Sequence, residues 1–222
     1  MKKFIKQLYL FLFILSIPIA ISVVLYLIID PFKVIYKYSE QINSTKNYQV
    51  ASNRDFQSSQ LFLWNYKKYD YNSFIFGNSR SFFYQVKTWN KFVHDNCFHF
   101  NASSESIYGI NCKLKYLDEN NVSINNALIV LDSSAINKTK NSTNHLFIKH
   151  PLFSKQSFII FHLTMIKAFF PKAIFAFADL YITDKKKAYM KKFGIMNNVW
   201  KHDMISNQLE YYAYDQQIKN NP

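Results

Sequence analysis

Glycine is nearly absent: the chain has only three in 222 residues. That scarcity excludes a Gly-rich loop cradling nucleotide phosphates, which needs several residues without a Cβ close to the anion. Cysteine is as scarce, with two positions. Cys97 and Cys112 lie too far apart for a C-x-x-C motif and lack a second pair, which excludes a zinc ribbon or finger. They either bridge in an oxidising compartment or sit as small buried hydrophobes. No metal site and no cofactor is expected. Acidic residues are few, 14 against 27 Lys and Arg, for a formal charge of +13. The excess is scattered lysine, clustered only in "MKKFIKQ" and "DKKKAYMKK", and neither cluster belongs to a nucleic-acid-reading module. Nucleic acid is therefore not expected as a partner. Aromatic residues make up 18% of the chain, which excludes disorder and points to one folded domain.

Charge is wholly missing from Leu8 to Ile29, "LYLFLFILSIPIAISVVLYLII", a run long enough to cross a hydrocarbon core of about 30 Å. Pro18 is tolerated in such a helix. "AIS" at Ala20–Ser22 is followed by further apolar residues, so the segment reads as an uncleaved anchor that meets the lipid bilayer through residues 8–29. Lys2, Lys3 and Lys6 precede it and place the N-terminus in the cytoplasm. The chain is thus expected to pass the cytoplasmic (inner) membrane once, with everything from Asp30 onward on its periplasmic or exterior side. A second apolar stretch, Ser157 to Ile182, is interrupted by His162, Lys167, Lys172 and Asp179. It reads as an amphipathic helix, or two joined near Pro171, packed on the domain or lying along the membrane surface.

Three regions follow: an anchor at 1–30, a connector at 31–72 rich in loop signals, and an α/β domain at 73–222. Within the last, "SFIFG" (Ser73 to Gly77), "CFHFN" (Cys97 to Asn101) and "NALIVLD" (Asn126 to Asp132) read as short buried strands. Helical patterns at Ser79 to Val93 and Glu105 to Asn120 separate them. That alternation predicts an α/β fold, a parallel sheet with helices on both faces, preceded by one transmembrane helix. Ligands collect at the carboxyl ends of such strands. There the chain places "GNSRS", "NASSES" and "DSSAIN".

Ser79 has two readings at this edge. It is a preferred residue for starting a helix, and it is equally a hydroxyl raised above the sheet beside free helical N–H groups, as a nucleophile requires. "IFGNSRS" followed by "FNASSES" resembles the first two blocks of the SGNH (GDSL-type) hydrolase family, whose sheet is flavodoxin-like. The resemblance implies that Ser79 is the nucleophile and that the oxyanion is held by the backbone N–H groups of Ser79 and Ser106. Asn78 stands where that family has Asp, and Ser106 where it has Gly. Asn78, Arg80, Asn101 and Asp132 stand as supporting residues. The anchor, "YNSFIFGNSRS", "FNASSESIYGI", "LIVLD", "HLFIKHPLFS" and the final "NNP" together look like membrane-anchored SGNH-like proteins of bacteria. These are distantly similar to envelope O-acyltransferases and to the D-alanine-transfer protein. The family's Asp-X-X-His block, which provides the base, has no counterpart among the six histidines, so the domain is expected to be incomplete at its C-terminal end.

The resemblance implies a serine esterase or O-acyltransferase-related protein acting on envelope carbohydrate, inactive as it stands, with envelope polysaccharide or an acyl donor protein as partner. The other reading is a non-catalytic anchored protein that binds at the same edge.

Overall fold

The computed structural model describes residues 2–42 and 45–211; the final Asn-Asn-Pro lies outside them. Helix α1 (Lys2–Ile29) is long and apolar enough to cross a membrane and is exposed over most of its length. Its last turns are covered: Ser22 and Tyr26 are buried, and the Tyr26 hydroxyl meets Nδ1 of His162 at 3.1 Å. The chain then ties a knot around Asp30. This residue is buried with φ +40, a left-handed conformation unfavourable to an L side chain. Its carboxylate accepts the N–H groups of Val34, Ile35 and Tyr36 and the Tyr38 hydroxyl at 2.9 to 3.1 Å, which holds the turn.

The connector expected over 31–72 contains a 16-residue helix, α2 (Arg54–Tyr69), after a short strand β1 (Tyr48–Val50). Hydrophobic periodicity misses α2 because polar residues occupy its inner face: Asp55, Gln57, Ser58 and Ser59 are all buried. Its caps are nonetheless written in the sequence. Asn53 Oδ1 accepts from the Phe56 N–H, Asp55 lies in the first turn, and Lys67 and Lys68 lie in the last.

The sheet is parallel, in the order β3-β2-β4, with β2 at Ser73–Gly77, β3 at Cys97–Asn101 and β4 at Asn126–Val130. Every residue of β2 and β3 is buried. On one face Phe74, Phe76, Phe98 and Phe100 pack against α2 and α4 (Ile107–Glu119). On the other, Ile75 and Cys97 pack against Val86 and Trp89 of α3 (Val86–Val93). Each fully buried Phe stabilises the fold by about 1.5–3 kcal/mol, so this phenylalanine ladder outweighs any single polar contact in the sheet.

β4 departs from the expectation of full burial: it is an edge strand with Ala127 and Ile129 exposed, and it stops at Val130 before Asp132. The helices that cover Phe74 and Phe76 do not extend over their neighbours in β4. Cys97 and Cys112 are free and buried and belong to clusters on opposite faces of the sheet, so they do not bridge. Burial pushes the Cys97 thiol up to about 12 and raises that of Cys112.

Beyond β4 come α5 (Ser133–Ile136), α6 (Pro151–Ser154), α7 (Phe158–Phe169) and α8 (Ile174–Thr183). The second apolar stretch is thus two helices, meeting at 81°. Phe161, Met165, Phe169, Ala176 and Phe177 form a core with Tyr26 at the foot of α1. A strand β5 (Ile195–Asn197) pairs antiparallel with β1. Strands β6 (Trp200–His202) and β7 (Leu209–Tyr211) form a hairpin. Its connecting segment covers the outer edge of β3, where the His99 N–H donates to the Ser206 carbonyl at 2.9 Å.

Candidate functional site

Ser79 opens a short 3-10 turn, Ser79–Phe83, directly after β2. The capping role falls to Asn78. Its Oδ1 accepts from the Arg80 N–H at 3.0 Å, and its Nδ2 donates to Asp132 Oδ2 at 2.6 Å. The Ser79 side chain is exposed, and its hydroxyl makes no hydrogen bond to any described residue. Gly77 makes the turn possible: a Cβ there would lie 2.7 Å from the Ser81 Cβ and 3.0 Å from the Val130 Cβ, too close for either neighbour.

Asp132 is the second fixed point of this edge. Its carboxylate accepts from the Ala135 N–H and the Ser134 hydroxyl, both at 2.8 Å, and so starts α5 while it holds Asn78. The Ala135 N–H first, then Ser134 and Asn78, hold the carboxyl down at about 2. Arg80 adds an ion pair at 3.3 Å from a largely exposed position. Asn rather than Asp at position 78 follows from this contact, since a carboxylate there would face Asp132 without a donor.

The first-block serine that does meet a histidine is Ser81. Its hydroxyl donates to the Asn78 carbonyl at 2.8 Å and lies 2.8 Å from His99 Nε2. A hydroxyl has one proton, and the carbonyl takes it. Nε2 of His99 is then the donor of the second bond and cannot serve as base toward Ser81. Both residues are sealed in the core, and burial pushes His99 down to about 3. The remaining histidines are placed elsewhere. His94 closes α3, His145 packs on Phe32, His150 bonds Gln60, His162 bonds Tyr26, and His202 bonds Asn207. None reaches Ser79.

Ser106 does not face the edge as an open donor. Its hydroxyl accepts from the Gly109 N–H, which starts α4, and its own N–H donates to Glu105 Oε1 at 2.8 Å. The second-block residue beside Ser79 is Ser103, and the two line one cavity of about 300 Å³. Asn101 is buried at the end of β3, where its Nδ2 donates to the Asn207 carbonyl. Asn207 in turn donates to Ser58 Oγ and the His99 carbonyl, so Asn101 helps tie the last hairpin to the strand tip.

Arg54 and Trp200 also line the Ser79 cavity. Arg54 donates to Gln57 and has no ion-pair partner among the described residues. Burial lowers its guanidinium to about 10, so it keeps its charge at neutral pH. Sequence reasoning missed Arg54 because it lies in the supposed connector. A larger cavity of about 620 Å³ begins at Ile29 and Asp30, at the foot of α1, and shares Gln49, Val50 and Ser52 with the first.

Behind this edge lies a buried quartet of charge. Lys113 bonds Asp55 at 2.6 Å and also Glu105; Lys149 bonds Asp55 at 3.0 Å and Glu105 at 2.5 Å. None of the four side chains is more than 4% exposed. Burial alone would raise the Asp55 carboxyl, and the two ammonium groups outweigh it and hold it far below the usual range. Burial would likewise lower Lys149, and the two carboxylates outweigh it and raise it. Two positive and two negative charges satisfy one another, so the quartet offers no open group for proton transfer. Its role is to join α2, the β3–α4 loop, α4 and the segment before α6.

Among the described residues, no group of His, Cys, Asp and Glu is arranged to hold a metal ion. Comparison of the chain with protein-family models, with curated proteins and with solved structures gives no match.

Proposed function

We propose that this is a membrane-anchored α/β protein of the bacterial envelope, related to the SGNH type, that handles acyl esters of carbohydrate with Ser79 as the acyl-accepting group. The observation that carries this reading is the free, exposed Ser79 hydroxyl at the tip of β2, opening with Ser103 and the unpaired Arg54 onto one cavity. In the reaction, Ser79 Oγ bonds to the ester carbonyl carbon and the alcohol leaves. The hydroxyl proton passes to a base from outside the described residues and on to that alcohol. Arg54 suits a substrate with an anionic substituent.

Treating the full chain in membrane vesicles with a fluorophosphonate probe tests the reading. Labelling lost in Ser79→Ala and kept in Ser103→Ala is expected; equal labelling of the parent and Ser79→Ala refutes the nucleophile. A second reading, an anchored protein that binds envelope polymer at this edge without reacting, is favoured by the placement of every described histidine away from Ser79. Retention of envelope polysaccharide without probe labelling, weakened in Arg54→Ala, supports that reading.

A further inference from the structure

The second apolar stretch carries an inference independent of Ser79. α7 and α8 each bury one side against the core at the foot of α1, through Phe161, Met165 and Phe169 in α7 and Ala176, Phe177 and Leu180 in α8. Successive helical residues are about 100° apart, so positions two away from a buried residue point outward. Most of the exposed ones are apolar: Ile159 is 72% exposed, Phe175 80% and Ile182 80%, with Leu163 exposed as well; the charged exceptions are Lys167 and the half-buried Asp179, which is ion-paired with Lys187. Lys167 and Lys172 flank them with exposed ammonium groups on long apolar stems.

The foot of α1 sets the depth of this surface. The uncharged run ends at Ile29, yet α1 is covered by the domain as far back as Ser22. That overlap is about 10 Å of helix. With Leu8 to Ile29 filling the hydrocarbon layer, whatever packs on Tyr26 must itself enter the outer part of that layer, and it is α7 that does so, through His162 and Phe169. The 12 residues of α7 and the 10 of α8, bent by 81°, are each too short to cross about 30 Å.

We propose that the α7–α8 elbow is a second membrane-contact element, lying within the interfacial layer beside α1 and seating the domain on the bilayer. The inference rests on α1 being the anchor, and its occupant is the lipid bilayer itself.

The test uses the full chain with Ile159→Cys, Phe175→Cys, Ile182→Cys, Leu15→Cys or Lys87→Cys, each labelled with a thiol-reactive bimane. The buried native thiols of the unsubstituted chain give the labelling blank. Each protein is reconstituted in phosphatidylcholine and phosphatidylglycerol vesicles with plain or dibrominated acyl chains. Emission from positions 159, 175 and 182 is expected to fall about twofold or more in brominated lipid, as at position 15, while position 87 on α3 is unchanged. Quenching at position 15 with none at the elbow overturns the inference and leaves the anchor standing. That includes the case in which a second copy of the chain shields the elbow. No quenching at position 15 overturns the anchor and the inference together.

Discussion

Replacing Lys149 by Met removes one of two ammonium groups from a closed square of charge. Asp55 and Glu105 would then share Lys113 alone, in a site where none of these side chains exceeds 2% exposure. Taking one partner from a buried ion pair destabilises by about 3–5 kcal/mol, because the charge left behind has lost both water and counter-ion. For a chain of this length, 1 kcal/mol moves the unfolding midpoint by about 2–4 °C, so Lys149→Met should lower Tm by about 6–20 °C. The double variant Lys149→Met/Glu105→Gln separates charge imbalance from lost packing. Its glutamine oxygen can still accept the Ser106 N–H, and one matched pair, Asp55 and Lys113 at 2.6 Å, remains. The double variant should therefore recover at least half of the lost Tm, a coupling that unconnected sites do not show. Thermal unfolding of the full chain in detergent micelles, followed by tryptophan fluorescence, gives the numbers. A Tm loss under about 2 °C in Lys149→Met, or a double variant no more stable than the sum of the single changes, would refute the reasoning.

Gly109→Ala would ordinarily favour a helix by about 1 kcal/mol. Here its Cβ meets Glu105 Oε1 and lies 2.5 Å from Lys149 Cε, so a loss of Tm is expected, and a gain would count against the tight quartet. Asn78→Asp places two carboxylates within hydrogen-bond distance. One of them then carries a raised pKa, so the variant should nearly match the parent near pH 4 and fall behind by about 2 kcal/mol near pH 8, read from Tm across that range. A deficit that does not grow with pH contradicts the Asn78–Asp132 contact. His99 and His150 are buried, and burial lowers them to about 3 and about 4. Below the unfolded value near 6.5 the unfolded chain takes up these protons and the folded chain does not, so stability falls with pH by up to about 3 kcal/mol per unit. A Tm that stays flat from pH 7 to 4.5 would refute this.

Two strands of the sheet, β2 and β3, were legible because they are buried on both faces and read as continuous apolar runs. β2 and β3 have the limits that "SFIFG" and "CFHFN" announce. β4 looked the same in sequence, but whether an outer strand is covered, as β3 is, or left open depends on what the fold lays beside it. The run Asn126–Val130 cannot tell the difference. α2 was hidden because its inner face is built from Asp55, Gln57, Ser58 and Ser59, which hydrophobic periodicity scores as surface. The quartet was invisible for a related reason: its members come from four segments and meet only through the fold. At the candidate site, the sheet edge and the exposure of Ser79 follow from the strand-to-turn junction in the sequence. The division of labour around it does not. Asn78 caps the turn, Ser81 goes inward to His99, and Ser103 rather than Ser106 lines the cavity, because each hydroxyl takes the partner that the local backbone brings near.

The knot at Asp30 bears on how far this protein can act. A carboxylate gripping three amides and a phenol immediately after α1 leaves no slack between helix and body, so the protein is mounted like a bracket and not moored like a buoy. On the proposed reading the bilayer sets its heading and altitude, and an envelope polymer would have to come to that fixed height. Loosening the bracket by Asp30→Ala would widen its sweep while blurring its aim.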